Sequence, residues 1–431
     1  MSHVFDYLKE ELIQFNTVPV DCYSKFDVKR GLRNRDGSGV LAGLTCISSV
    51  VGFHKIEGDM HPVEGVLKYR GVSIIDLVED LKGKTCLFER TVFLLLVGRL
   101  PSDSDLAVML NYMDQHRDLP EAIMDGIKTL PSKHIMNKLQ TAVSSLYGYD
   151  TDPDSLDPYE NFLKSLQIIA KLPLIVAYSY LAVYETIPQF PEFRKGMSTA
   201  EVFLFLLNQG ADIDPFHVQI FDLCLLLHAE HGGGNNSTFT TYVVSSSGSD
   251  IYCTLAAAIA SLKGPLHGAA NQKVMDMIAD IKSNVSDWSD QTQLSDYLTQ
   301  IVEKKGYDRS GKLYGLGHAV YTKSDPRALV IQEQARNLAQ SKDRIGEMDL
   351  YDLIAQLGPS LFQTVKQSDK VISPNVDFYS GFVYDCLGIP SSVYTPIFAL
   401  ARSVGWCSHR IEEGLSGKRI IRPGYKFVEQ K

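Results

Sequence analysis

Apolar residues recur at helical rather than alternating spacing along most of this chain. The stretch STAEVFLFLLNQ opens with Ser198 three residues before Glu201, a capping-box pattern ahead of an apolar face, and predicts a helix. PFHVQIFDLCLLLHAEHGGG is apolar nearly all round, which predicts a central helix stopped by three glycines. SDIYCTLAAAIASLKGP predicts a small-residue helix ended by Gly264-Pro265, with another following at once from about Gly268 through Ile281. Alternating signals are thin. The best lie in SSVVGFHKIEG and GVLKYRGVS, within 48–73, and predict a small hairpin sheet. The expected fold class is mainly α with a small N-terminal β-hairpin element. With no repeat, low-complexity tract or long linker, a second domain is expected to be an insertion with short hinges. Its best breaks are Gly264-Pro265 and ISPNVDFYSG at 372–381.

Composition narrows the function classes. A length of 431 residues suggests two or three structural units, and 45% hydrophobic with 22% charged residues is normal for a folded chain. A net charge of −9 speaks against general nucleic-acid binding. It leaves room for an anionic small substrate, because a pocket can concentrate a few arginines inside an acidic protein. Seven cysteines without a CxxC pair suggest reduced thiols in a cytosolic setting. The start, MSHVFDYLKEELIQF, lacks the features of a signal or transit peptide. The longest apolar run, LPLIVAYSYLAVY (172–184), is short for a bilayer and contains a proline. A cytoplasmic protein without a membrane or nucleic-acid partner is expected.

Six stretches carry candidate chemistry. DTDPDSLDP (150–158) resembles a calcium loop, but Ser155 and Asn161 stand where glycine and a bidentate glutamate are needed, so it reads as an acidic surface loop. HAEHGGGNNSTFT (228–240) holds two histidines on one helical face without a third zinc ligand. Either they are a buried pair capping the helix, or His231 and the glycine-rich backbone form an anion site. His267, in KGPLHGAANQKV, is either a hinge histidine or a neutral hydrogen-bond donor near a helix N-terminus. Asp377, in SPNVDFYSG, is either a helix cap or a carboxylate whose partial desolvation makes it a better base. Arg402 and Arg422 sit among apolar neighbours and suit carboxylate recognition, whereas Lys418 and Arg419 fit a solvated tail. GLGHAVYTKSDPRA (315–328) starts like a dinucleotide loop, but Val320 occupies the third glycine position and no apolar strand precedes it. His318 and Arg327 remain as its chemistry.

Together these motifs resemble the citrate synthase family. HAEHGGGNNS, GPLHGAANQ, GLGHAV…SDPRA, PNVDFYSG and the two late arginines occur in the family's order and approximate spacing. GVLKYRGVSIIDL and FERTVFLLLVGRLPS look like its N-terminal signature, so the resemblance covers roughly 30–425. It implies a two-domain helical fold, with a large discontinuous domain of 1–267 and 376–431 and a small one of 268–375. It also implies a homodimer that condenses oxaloacetate with acetyl-CoA and hydrolyses the thioester, without a metal or resident cofactor. In that reading Asp377 is the base, His267 stabilises the enol and His318 acts on the ketone. His231, Arg327, Arg402 and Arg422 would hold the carboxylates, Arg422 reaching the partner's site. Phe398 would pack on substrate, and Ser237 would support His267. The loop Leu313, Tyr314, Gly315, Leu316 and Gly317 would meet the adenine end of CoA. Some members carry a basic residue four positions after the second histidine, where this chain has Thr322 followed by Lys323. The family's 2-methylcitrate synthases share the catalytic residues and take propionyl-CoA. A non-catalytic relative would be expected to have lost those side chains.

Overall fold

Helix boundaries follow local capping chemistry. Ser198 Oγ accepts from Glu201 N at 3.2 Å, and the Glu201 carboxylate accepts from Ser198 N at 2.7 Å, which starts the helix Thr199–Leu207. Asp214 and Pro215 open Pro215–His228, and Asp250 opens Ile251–Lys263. Asn235, Asp325 and Asn375 cap Asn236–Ser245, Pro326–Ser341 and Val376–Cys386 in the same way. The computed structural model describes residues 5–57, 59–184 and 191–429. Helix is the dominant element throughout, as the periodicity predicts. The helix expected from Gly268 starts two residues later, as Ala270–Asn284.

Chain contacts separate two units. One comprises residues up to Leu44 with the segment from Ile421 onward, and the other runs from Thr45 to Ile420. The first holds the short helices Lys9–Asn16 and Val20–Lys25, and Lys426 Nζ lies 5.7 Å from the Phe26 ring. None of its described residues is buried.

The larger unit is built around Tyr394–Ser416, buried almost continuously to Arg410. It packs on Pro158–Tyr184, Pro215–His228, Asn236–Ser245 and Ile251–Lys263. The apolar run 172–184 is the C-terminal half of a longer helix, Pro158–Tyr184, which continues through Pro173 for 27 residues. It is long and apolar enough to cross a membrane, yet most of its apolar segment is buried inside the fold.

The expected hairpin is a three-stranded antiparallel sheet, β1 Ser48–Ile56, β2 Asp59–Tyr69 and β3 Val72–Ser73. Ser48 pairs with Tyr69 and Ile56 with Asp59, with a register shift between Val51 and Phe53. Two glycines let the sheet meet another segment closely. A Cβ at Gly52 would fall 2.3 Å from Val320 O, and one at Gly65 would fall 2.1 Å from Ser324 O. The loop following His318 is thereby seated on the sheet. Thr322 Oγ1 donates to Gly52 O at 2.5 Å, so its hydroxyl is committed to that seat.

Candidate active site

His318 is held as a neutral imidazole by its own loop. Its Nδ1 accepts from Val320 N at 3.0 Å and from Tyr321 N at 3.1 Å. A nitrogen that accepts twice carries no proton, so the proton resides on Nε2, the ring's one remaining donor. Burial, with Arg327 and then Arg402 adding to it against Asp325, lowers the pKa to about 4.

His267 is neutral for similar reasons. It lies in the turn between Ile251–Lys263 and Ala270–Asn284, and its Nε2 is 2.8 Å from Ser237 Oγ in the first turn of Asn236–Ser245. Burial and the nearby charge of Arg402 bring its pKa down to about 4.

Asp377 occupies the first turn of Val376–Cys386, where its N–H is capped by Asn375 Oδ1 at 3.0 Å. Its carboxylate has no hydrogen-bond partner among the described residues. Desolvation raises its pKa to about 6, with Arg327 and Arg402 pulling the other way and Asp325 adding to the rise. Of the two readings of Asp377, the helix cap does not hold, since Asn375 takes that position, and the desolvated carboxyl agrees with its surroundings.

The cations differ in how they are engaged. Arg402 is 1% exposed; its Nε donates to His228 O at 2.8 Å, while Nη1 and Nη2 are buried without partners. Two unmet donors on a buried guanidinium form a fork for an incoming anion. Desolvation lowers its pKa to about 10, so it stays charged at neutral pH. Phe398 lies beneath this guanidinium, 4.6 Å from ring centroid to Cζ. Arg327, also buried, spends Nε and Nη2 on Asp325 at 3.1 and 2.7 Å. His231 has its ring 5.0 Å from that of His318, and its buried Nε2 is unpaired. Burial, with Arg327, His318 and Arg402 behind it, holds His231 well below the ordinary histidine range.

The larger unit therefore gathers His231, Ser237, His267, His318, Arg327, Asp377, Phe398 and Arg402 around shared contacts and shared electrostatics. Arg422 belongs to the first unit, where it is exposed. The loop Leu313 to Gly317 pairs with the segment leading to Asp377: Leu316 bridges Pro374, Gly317 N donates to Ser373 O at 2.7 Å, and Asn375 N donates to Gly315 O at 2.9 Å. Gly315 has φ +78°, and a Cβ there would meet Phe378 Cδ2 and Val274 Cγ2 at 2.8 Å. Close packing accounts for that glycine independently of any ligand. Tyr314 turns its hydroxyl to Asp308 Oδ2 at 2.6 Å.

Two further side chains of the cluster were not among the expected site residues: His228 had a place only in the buried-pair reading, and Tyr321 had none. His228 is buried with both ring nitrogens unpaired and lies 4.9 Å from the Phe398 ring. Tyr321 is buried between His318, His231 and Arg327. Each stands within one of the motifs of this chain, but nothing local distinguishes an unpaired polar group from a paired one. Among the described residues, no group of three or more His, Cys, Asp or Glu side chains is placed to hold a metal ion.

Comparison with known proteins agrees with this geometry. The family model described as "Citrate synthase, C-terminal domain" matches residues 36–424. "Citrate synthase 2" of Bacillus subtilis (strain 168) is 34% identical over 396 residues, covering 89% of this chain and 93% of that protein. "Citrate/2-methylcitrate synthase" of the same organism is 35% identical over 361 residues, covering 83% and 89%. Among solved structures, the citrate synthase from Pyrobaculum aerophilum superposes with a TM-score of 0.76 at 32% identity, over 91% of each chain. Match over nearly the whole length, in sequence and in fold, leads to one conclusion: the chain belongs to the citrate synthase family.

Proposed function

We propose that this enzyme condenses oxaloacetate with acetyl-CoA and water, giving citrate and CoA. The observation that carries this reading is the pairing of two neutral histidine donors with a desolvated carboxylate beside an open arginine fork. A thioester methyl is a very weak acid, so a base succeeds only if the developing enol oxygen is stabilised at the same time. Asp377 removes the methyl proton while His267 donates a hydrogen bond to that oxygen. If Ser237 donates to Nε2 of His267, the imidazole proton sits on Nδ1, free for the substrate. The enol carbon then attacks the ketone of oxaloacetate, and His318 gives its Nε2 proton to the oxygen left behind. Water finally adds to the thioester carbonyl, one of its protons returning to His318, the C–S bond breaks, and the departing sulfur takes the proton held by Asp377, so that both groups are reset. Arg402, Arg327 and His231 receive the oxaloacetate carboxylates, with Phe398 against the substrate. CoA is a co-substrate here, its adenine end meeting the loop Leu313–Gly317.

The smaller domain, 268–375, carries His318 and Arg327, so its movement against 1–267 and 376–431 would close the cleft and exclude water. A homodimer is supported by the first unit. It exposes Phe5, Leu12, Ile13, Tyr425 and Phe427, a set of apolar side chains that a second copy would cover. Arg422 lies in that unit and would complete the partner's site. Burial of most of the apolar segment of Pro158–Tyr184 favours a core helix over a membrane span, and the free cysteines support the cytoplasmic reading.

The similarity to the Bacillus subtilis citrate/2-methylcitrate synthase favours one second reading, use of propionyl-CoA. One methylene changes discrimination by only about 1–3 kcal/mol, so dual activity is compatible with this site. A thiol-release assay with oxaloacetate and either thioester tests both. The expected result is release with acetyl-CoA, and the two kcat/KM values rank the readings. Absence of release with either thioester would remove the enzymatic assignment and leave a non-catalytic relative.

A further inference from the structure

Tyr321 is 1% exposed, and its hydroxyl has no hydrogen-bond partner. Buried hydroxyls are costly to leave unpaired, and an isolated one at a binding site marks a contact that the ligand completes. Its surroundings are those of the substrate's anionic end. The ring centroid lies 4.8 Å from that of His318 at a tilt of 31°, and 5.3 Å from that of His231 at 82°. The Arg327 guanidinium is 5.6 Å from the ring centroid. Burial raises the phenol well above its usual range, outweighing the opposing charges of Arg327 and Arg402. The hydroxyl therefore keeps its proton and is available as a donor.

The position is held from three sides. A Cβ at Gly52 would come within 2.6 Å of Tyr321 Cα, and one at Gly65 within 2.8 Å of its Cδ1, so both strands leave only hydrogen where the tyrosine packs. Its backbone N–H donates to His318 Nδ1 at 3.1 Å, which couples the phenol's placement to that of the imidazole. Arg327 supplies the reason a further donor is needed. Its Nε and Nη2 edge is already bound to Asp325, so one of its two carboxylate-binding edges is occupied, its charge is partly offset, and Nη1 is the nitrogen left uncommitted.

We infer that the Tyr321 hydroxyl donates a hydrogen bond to the oxaloacetate carboxylate that lies beside Arg327, which makes Tyr321 a substrate-binding residue of this site. The inference rests on the oxaloacetate reading above. The hydroxyl supplies the donor that Asp325 withdraws from Arg327, and the substrate relieves an unpaired buried group on arrival.

Tyr321→Phe removes the hydroxyl and keeps the ring between the histidines. The expected result is a KM for oxaloacetate raised about 10- to 100-fold, as for loss of a hydrogen bond to a charged group. The thioester KM and kcat at saturating oxaloacetate should stay within about threefold. Inhibition by malate, a ketone-free four-carbon dicarboxylate, should weaken by the same factor as oxaloacetate binding. The melting temperature without substrate should hold or rise, since an unpaired polar group is removed, while the stabilisation conferred by oxaloacetate shrinks. An unchanged oxaloacetate KM overturns the inference, as does a lowered melting temperature without substrate. Weakened oxaloacetate with unaltered malate inhibition overturns the carboxylate assignment by placing the phenol at the ketone. If the unsubstituted protein neither releases CoA nor gains thermal stability from oxaloacetate, the functional reading falls with the inference. If it does both and Tyr321→Phe matches it, the inference alone falls.

Discussion

Glu230 Oε1 and His409 Nε2 lie 3.0 Å apart with both side chains fully buried, a pair that ties the His228–His231 segment to the helix carrying Arg402. Ser48 Oγ donates to the same carboxylate oxygen at 2.8 Å. Tyr69 braces the backbone, donating to Glu230 O at 3.0 Å and accepting from Glu230 N at 3.2 Å. On its far side, His409 Nδ1 is 2.6 Å from the Tyr242 hydroxyl and 3.5 Å from Glu412 Oε2. Burial pulls His409 towards neutrality, but the two carboxylates overcome it and raise its pKa to about 9. Burial likewise raises Glu230, and His409, Arg402 and Ser48 reverse this to hold it at about 2.

Breaking this pair from one side should be costly. Glu230→Gln or His409→Gln leaves a buried charge with only its second partner, Glu412 for His409 or Arg402 for Glu230, and is expected to destabilise the protein by up to about 3–5 kcal/mol. Denaturant unfolding at fixed protein concentration measures it, and the double variant should cost less than the sum of the singles. Simple additivity would show that the two groups do not interact. The pH dependence has a definite sign. The His409 contribution is full below its ordinary 6.5 and is lost as pH rises through about 9. The Glu230 contribution is full above its ordinary 4.5 and is lost as pH falls towards about 2. The deficit of either variant should therefore be largest between those two ordinary values and shrink on both sides.

Asp377 should show opposite effects on activity and stability. Its base form is the ionised one, so kcat/KM should rise with pH to a plateau above a pKa of about 6. Asp377→Asn should lower turnover by about 10²- to 10⁴-fold while oxaloacetate still binds. The folded pKa is raised from 3.8, so this carboxylate costs stability as pH rises through about 6. The variant should melt higher than the parent above that pH and lose the advantage at low pH. Near-parental turnover in the variant would exclude Asp377 as the base.

The proposed contribution of Arg422 to a partner's site can be tested by mixing two variants. Asp377→Ala and Arg422→Ala chains should each be nearly inactive alone. In the mixed form of the proposed dimer, one site would combine an intact Asp377 with an intact Arg422 from the other chain. Co-refolding equal amounts should restore about a quarter of parental activity, by the two-fold symmetry of a random mixture. Failure of the mixture to regain activity would place Arg422 outside the partner's site.

Helical class, the hairpin and the cap at Ser198 were legible because each depends on residues a few positions apart. The same is true of the motifs bearing His267, His318, Asp377, Arg327 and Arg402. The length of Pro158–Tyr184 was not legible in this way, because its first half is not part of the apolar run 172–184.

What the sequence determined by itself is which chemical groups are present and how the chain places them along short segments. The tertiary structure decided their states. His318 is neutral because two backbone N–H groups face its Nδ1, and Arg402 is an open fork while Arg327 is partly closed by Asp325. Glu230 and His409, 179 positions apart, become an ion pair only when helices from both regions exclude water between them. Charge, protonation and unmet hydrogen bonds depend on desolvation and on neighbours from distant segments, and no local pattern encodes either.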